Sequence, residues 1–154
     1  MSQRIRTFIA VEIDPAVRKA AQDLVDKLRE AGADVKWVEP ENLHITVKFL
    51  GDVKAEDVAG VCEAVQRGVA DLSPFPLEIY GAGAFPNLAR PQTIWLGARE
   101  GDDQMAELAN RVEAALEPFG FRRETRQFRA HLTLGRLKRD GGGPRTGQLG
   151  RLLG

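Results

Sequence analysis

Hydrophobic positions along this chain follow two rhythms, one of about two residues and one of about 3.6, and the rhythm changes at Gly, Pro and Asp residues. Thr7 to Ile13, TFIAVEI, is rich in apolar and β-branched residues and predicts a buried strand. It stops at Asp14-Pro15, a capping side chain followed by a proline suited to the first helical position. Val17, Ala20, Ala21, Leu24, Val25 and Leu28 then recur at helical spacing, which predicts a helix over about 15–30 with Gly32 as its stop. A short strand follows at Val35 to Val38, then a turn at EPEN. His44 to Leu50 predicts another strand, with polar residues at 44, 46 and 48 alternating with apolar ones at 45, 47 and 49, so that Phe49 takes core parity.

After Gly51-Asp52 a second helix is predicted up to about residue 71, with Val58, Val61, Cys62, Val65 and Val69 on one face, before SPFP breaks the chain. Leu77 to Tyr80 and Thr93 to Ala98 are predicted strands on either side of GAGAFPNLARP. Gly81 to Ala84 reads as a bend, because no helix follows it directly as a phosphate-cradling glycine loop requires. Asp102 to Pro118 predicts a third amphipathic helix, followed by strand material at Phe121 to Phe128 and again at His131 to Leu137. Residues 139–154 are rich in glycine and arginine and have little to bury, so a mobile tail is expected after one domain over 1–138.

Composition narrows the function classes. The chain has 154 residues, enough for one domain, with 22 Lys+Arg against 22 Asp+Glu and a formal net charge of zero. No global positive field advertises nucleic acid, so an anionic substrate must be recognised locally. Cys62, the single cysteine, lies in an apolar pattern and is expected in the core as a reduced thiol. The N-terminal MSQRIRTFIAVEID lacks a signal-peptide pattern, and nowhere do 18 apolar residues run together, so a soluble, cytoplasmic monomer away from membranes is expected.

The predicted elements repeat. Strand Thr7–Ile13, helix, Gly32 and strand His44–Leu50 are echoed by strand Thr93–Ala98, helix, Gly120 and strand His131–Leu137, and corresponding spacings agree within one residue. The two closing strands begin His44-Ile45-Thr46-Val47 and His131-Leu132-Thr133-Leu134. The chain's only two histidines thus hold equivalent places, each sharing a strand face with the threonine two residues on.

A lone histidine at a strand start is ordinarily a structural or surface residue; two in matched His-x-Thr-x settings point to chemistry. An imidazole pair can take a proton from a nucleophile and give one to a leaving group, as in-line displacement at phosphorus requires. Threonine hydroxyls beside them can donate to non-bridging phosphate oxygens. Two histidines and one helical cysteine fall short of the ligands zinc takes, so no metal is expected. The arginines at 122, 123, 126 and 129 could steer a polyanion, but Glu124 interrupts them and such clusters are mostly solvated faces.

Paired His-x-Thr-x motifs in a duplicated αβ chain resemble the 2H phosphoesterase superfamily. FIAVEI, WVEPENLHITVKFLG and FRAHLTLGR are similar to its bacterial branch, the RNA 2′,3′-cyclic phosphodiesterases also called 2′-5′ RNA ligases, over roughly residues 5 to 138. The resemblance implies an α+β fold, bilobal, with two antiparallel sheets lining a central cleft and helices outside. It implies hydrolysis of RNA 2′,3′-cyclic phosphate ends to 2′-phosphomonoesters without a cofactor, and reversible 2′-5′ joining of RNA ends. Carried onto this chain, His44 is the proton donor, His131 the proton acceptor, and Thr46 and Thr133 hold phosphate oxygens. Arg136 matches an arginine that commonly follows the second motif, yet strict alternation puts it on the face opposite His131; Arg129 has the right parity for a phosphate contact. Trp37 and Phe49 flank the first motif and are candidates for stacking on a base. A small cyclic nucleotide or ADP-ribose cyclic phosphate is the alternative substrate, and a non-catalytic RNA-end-binding module is the reading from another class.

Overall fold

The computed structural model describes residues 3–85, 92–124 and 127–138. The expected tail over 139–154 and Arg126 of the basic cluster lie outside these residues. In chain order the elements are β1 (Arg4–Glu12), α1 (Pro15–Leu28), β2 (Val35–Trp37), β3 (His44–Lys54), α2 (Ala55–Val69), β4 (Glu78–Phe85), β5 (Thr93–Glu100), α3 (Asp102–Leu116) and β6 (His131–Leu137). The fold is α+β, with two antiparallel sheets: β1 beside β3 in one, and the order β2-β6-β5-β4 in the other.

Local chemistry explains the helix boundaries. The Asp14 carboxylate accepts a hydrogen bond from the Val17 amide at 2.9 Å, and Pro15 opens α1. Both α1 and α3 tighten into a turn of 3-10 helix and end on a left-handed glycine, Gly32 at φ 70° and Gly120 at φ 88°. That shared ending supports the repeat. Within it, β1 neighbours β3 and β5 neighbours β6.

The chain divides into two compact units. Of the described residues, the first contains 3–11, 46–78 and those of 100–130, and the second 12–45, those of 79–99 and 131–138. In the first unit α2 packs on α3, and Val47, Leu50, Val53, Val61, Met105, Val112 and Leu116 are buried. The buried residues of the second include Val25, Leu28, Val35, Ile94, Leu132 and Leu134.

Four expectations are corrected. The strand over Thr7 to Ile13 is not buried, since β1 alternates exposed and half-buried residues. Cys62 is exposed, because the buried line of α2 runs through Val61 and leaves the next residue about 100° round the helix. Gly81 to Ala84 is not a bend but the middle of β4, where Gly83 makes room for an indole: a Cβ there would lie 2.6 Å from the Trp95 ring. No described residue of 121–128 is in a strand. Side chains satisfy that backbone instead, since Lys48 Nζ donates to the Arg122 carbonyl at 2.7 Å and the Glu124 amide donates to Glu113 Oε2 at 2.9 Å.

Candidate functional site

The strand carrying the second motif, β6, lies between β2 and β5 and is antiparallel to both. His131 stands opposite Gly97, Leu132 opposite Leu96 and Thr133 opposite Trp95; the register then shifts, so that Gly135 faces Ile94 and Arg136 faces Thr93. Leu134 is the extra residue of a β-bulge. Its carbonyl is not orphaned, because the Val38 amide donates to it at 2.8 Å.

The bulge changes which side chains share a face. Directly opposed residues in a sheet point the same way, and Gly97, Trp95 and Thr93 alternate on one side of β5. His131, Thr133 and Arg136 therefore occupy one face, with Leu132, Leu134 and Gly135 buried on the other. Strict alternation would have put Arg136 opposite; the bulge returns it beside the histidine and threonine. On β2, Lys36 is the partner of Arg136 and joins this face as an exposed cation that the sequence did not single out. Trp37 pairs with Gly135 and belongs to the other side, where a Cβ on Gly135 would come within 2.8 Å of its ring. The Trp37 ring is half-buried there, on the side away from Arg136.

Aromatic rings border His131. Phe85 meets the imidazole edge to face, with centroids 5.9 Å apart and an interplanar angle of 90°, and lies 5.1 Å from the Trp95 ring. Both rings come from positions whose role periodicity did not reveal.

The strand carrying the first motif, β3, shows the same burial sequence as β6 over its first six residues: half-buried, buried, half-buried, buried, buried, exposed. Here too the alternation slips after the fourth residue. His44 and Thr46 remain half-buried, but Lys48 turns into the core and Phe49 turns out, 52% exposed. The expectation that Phe49 packs and Lys48 faces outward is thereby reversed. Burial of the Lys48 ammonium is balanced by Glu113 Oε1 at 2.7 Å and the Arg122 carbonyl at 2.7 Å. The Phe49 ring instead carries the Arg6 guanidinium, 5.1 Å from its centroid.

His44 Nδ1 lies 2.6 Å from the carbonyl of Asn42, the last residue of the 3-10 turn Pro40–Asn42 that the EPEN sequence forms. A carbonyl can only accept, so Nδ1 carries the hydrogen and the neutral ring keeps its lone pair on Nε2. The turn before the strand thus sets the tautomer. His131 is approached differently, because Asp102 Oδ1 at the start of α3 accepts from the amide of Ala130 at 2.9 Å, one residue before the histidine. His44, His131, Thr133 and Arg136 belong to one compact unit, and Thr46 and Phe49 to the other.

The other candidates sort as follows. Arg129 is exposed just before β6 starts, outside the register that places Arg136. Arg123 is committed to α3 and its end, donating to Glu117 at 2.8 Å and to Asn110 at 2.6 Å. Among the described residues, no group of three or more His, Cys, Asp or Glu side chains is placed to hold a metal ion, and no helix is long and apolar enough to cross a membrane.

Known proteins resemble this chain in sequence and in fold. The family described as LigT like phosphoesterase matches residues 11–95 and 96–144. The chain is 41% identical over 135 residues to the RNA 2′,3′-cyclic phosphodiesterase of Archaeoglobus fulgidus, covering 88% of this chain and 74% of that one. It is 38% identical to the protein of the same name from Methanothermobacter thermautotrophicus, covering 98% and 79%. Among solved structures, a Thermus thermophilus protein, TT0787, superposes with a TM-score of 0.75 at 29% identity, over 86% of this chain and 74% of that one. E. coli LigT complexed with 3′-AMP gives 0.71 at 28% identity, over 87% and 74%.

Proposed function

The chain belongs to the LigT-like phosphoesterase family, and on that premise we propose that it hydrolyses RNA 2′,3′-cyclic phosphate ends to 2′-phosphomonoesters without a metal ion. The observation that carries the reading is the matched pair of His-x-Thr strands, alike in burial and in the slip after their fourth residue. A binding module has no need of two imidazoles so placed, whereas proton transfer on both sides of a phosphorus does.

The roles follow. His131 accepts a proton from water as the water oxygen bonds to phosphorus, and His44 donates a proton to the departing 3′-oxygen as the P–O3′ bond breaks. With Nδ1–H held by the Asn42 carbonyl, the proton that His44 delivers sits on Nε2. Thr46 and Thr133 donate to the non-bridging oxygens, and Arg136, with the fork geometry that suits phosphate, neutralises their charge. Phe49 offers its ring to a base of the substrate. The same two imidazoles in the same roles would join a 2′,3′-cyclic phosphate to a 5′-hydroxyl end, the hydroxyl taking the place of water as the P–O3′ bond breaks to leave the 2′-5′ linkage, and with roles exchanged they would run that step backwards.

The test is incubation of purified protein, in EDTA, with an oligoribonucleotide ending in 2′,3′-cyclic phosphate, and identification of the terminal phosphate formed. A 2′-phosphomonoester is expected, and either His44→Ala or His131→Ala should abolish it while leaving the circular dichroism spectrum intact. Activity retained in either variant would refute the paired-imidazole mechanism; activity lost in EDTA alone would refute its independence of metal.

A further inference from the structure

β1 presents a face that the roles above leave unused. Arg4, Arg6 and Phe8 alternate on one side of this strand and are exposed, Phe8 at 43%. The Arg6 guanidinium lies over the Phe49 ring, and Phe49 is on the open side of β3 together with Thr46. Arg6 and Phe8 therefore share the face that carries Thr46.

Their order along it can be traced. Gln3 O accepts from the Ala55 amide at 2.8 Å, Arg4 reaches the Asp52 carbonyl at 3.5 Å, and Arg6 covers Phe49. Each step forward on β1 is a step back on β3, so Phe8 lies further toward Thr46 than Arg6 does. The result is a strip of cation, ring, cation and ring, Arg4, Phe49, Arg6 and Phe8, leading to the first motif.

We infer that this strip is a subsite for single-stranded RNA, holding the nucleotides next to the cyclic-phosphate end, and that it makes an oligonucleotide end a better substrate than a mononucleotide. The inference rests on the phosphodiesterase reading. Charge complementarity selects the occupant: a guanidinium stacked on a ring keeps its in-plane N–H donors directed outward, where a phosphodiester can meet them, while exposed rings beside it accept bases of any sequence. In a chain of zero net charge, a strip of this kind is the local basic patch that RNA requires.

The experiment compares uridine 2′,3′-cyclic phosphate with a hexaribonucleotide ending in the same group, using wild type, Arg6→Ala, Arg6→Lys and Phe8→Ala. Wild type should prefer the hexamer, and the ratio of the two kcat/KM values should fall about tenfold in Arg6→Ala and in Phe8→Ala, with Arg6→Lys intermediate. The logarithmic salt dependence of hexamer binding should lose about 0.7 in slope in Arg6→Ala. No wild-type preference, or equal losses on both substrates, overturns the subsite. Should the wild type turn over neither substrate, the phosphodiesterase reading has failed. The subsite is then decided by fluorescence anisotropy of a labelled hexamer 3′-phosphate: about tenfold weaker binding to Arg6→Ala sustains it, and an unchanged Kd overturns it. A change in solution mass on Phe8→Ala, measured by light scattering, would make the strip a seam between copies of this chain and equally overturn it.

Discussion

Arg136 takes its face from one extra residue. Counting from His131, alternation sends it away from the motif; the bulge at Leu134 sends it back, into register with Thr93 and beside Lys36. Removing a charged hydrogen-bond donor from a phosphate contact costs about 1.5–3 kcal/mol, so Arg136→Ala should lower kcat/KM on a cyclic-phosphate substrate by about 10- to 100-fold. Arg136→Lys should recover only part, because an ammonium cannot present the bidentate fork. Arg129→Ala should cost less than either, and steady-state kinetics of the three variants would overturn the assignment if Arg129→Ala proved the most damaging. Gly83→Ala belongs to the same scale. A Cβ 2.6 Å from the Trp95 ring must displace an indole that shares the face of His131, at about 1–3 kcal/mol of stability and a visible change in tryptophan fluorescence. The residues behind both predictions were only partly legible. Alternation correctly paired His44 with Thr46 and His131 with Thr133, but a bulge leaves no mark in composition, since Leu134 looks like any buried leucine.

The same slip governs an element, β3. Lys48 in its core half is bound to Glu113 of α3 and to the Arg122 carbonyl, while the other Glu113 oxygen holds the Glu124 amide. One ion pair thus fixes β3 to α3 and to the segment leading toward β6. Removing one partner leaves the other charge buried, so Lys48→Met should destabilise the protein by about 3–5 kcal/mol in urea unfolding. Lys48→Met with Glu113→Leu should regain part of that, though the Arg122 carbonyl and the Glu124 amide would still lack partners. A single variant as stable as wild type would show that the pair contributes nothing. Helices were legible because their signals are local: the Asp14 cap, the 3.6-residue spacing and the stops at Gly32 and Gly120 need no tertiary context. Residues 121–128 were misread for the opposite reason. Phe121 and Phe128 suggested a strand, but the polar groups nearby are satisfied by Lys48 and Glu113, residues distant in sequence, and no local rule announces that.

At the scale of the whole molecule, the sequence repeats and the compact units are not the same objects. The first repeat places the bulk of β1 and β3 in one unit and α1 in the other; the second places the bulk of β5 and all of β6 with α1, and α3 with β1 and β3. Each unit is therefore built on the strands of one repeat and includes the helix of the other. The repeat was legible from spacing alone, but this exchange was not, because the periodicity of a helix states that a face is buried without saying what covers it. The exchange has a consequence for folding. Residues 1–78 contain one full repeat, yet α2 is there without α3, and α1 and β2 are there without β4, β5 and β6. A helix or strand with its apolar face uncovered does not offset the entropy of ordering it, so the fragment 1–78 should show no cooperative thermal transition by circular dichroism. Mixing it with 79–154 should restore a transition, because the second fragment carries the missing elements of both units. Cooperative melting of 1–78 by itself would mean that the repeat, and not the interleaved unit, is what folds.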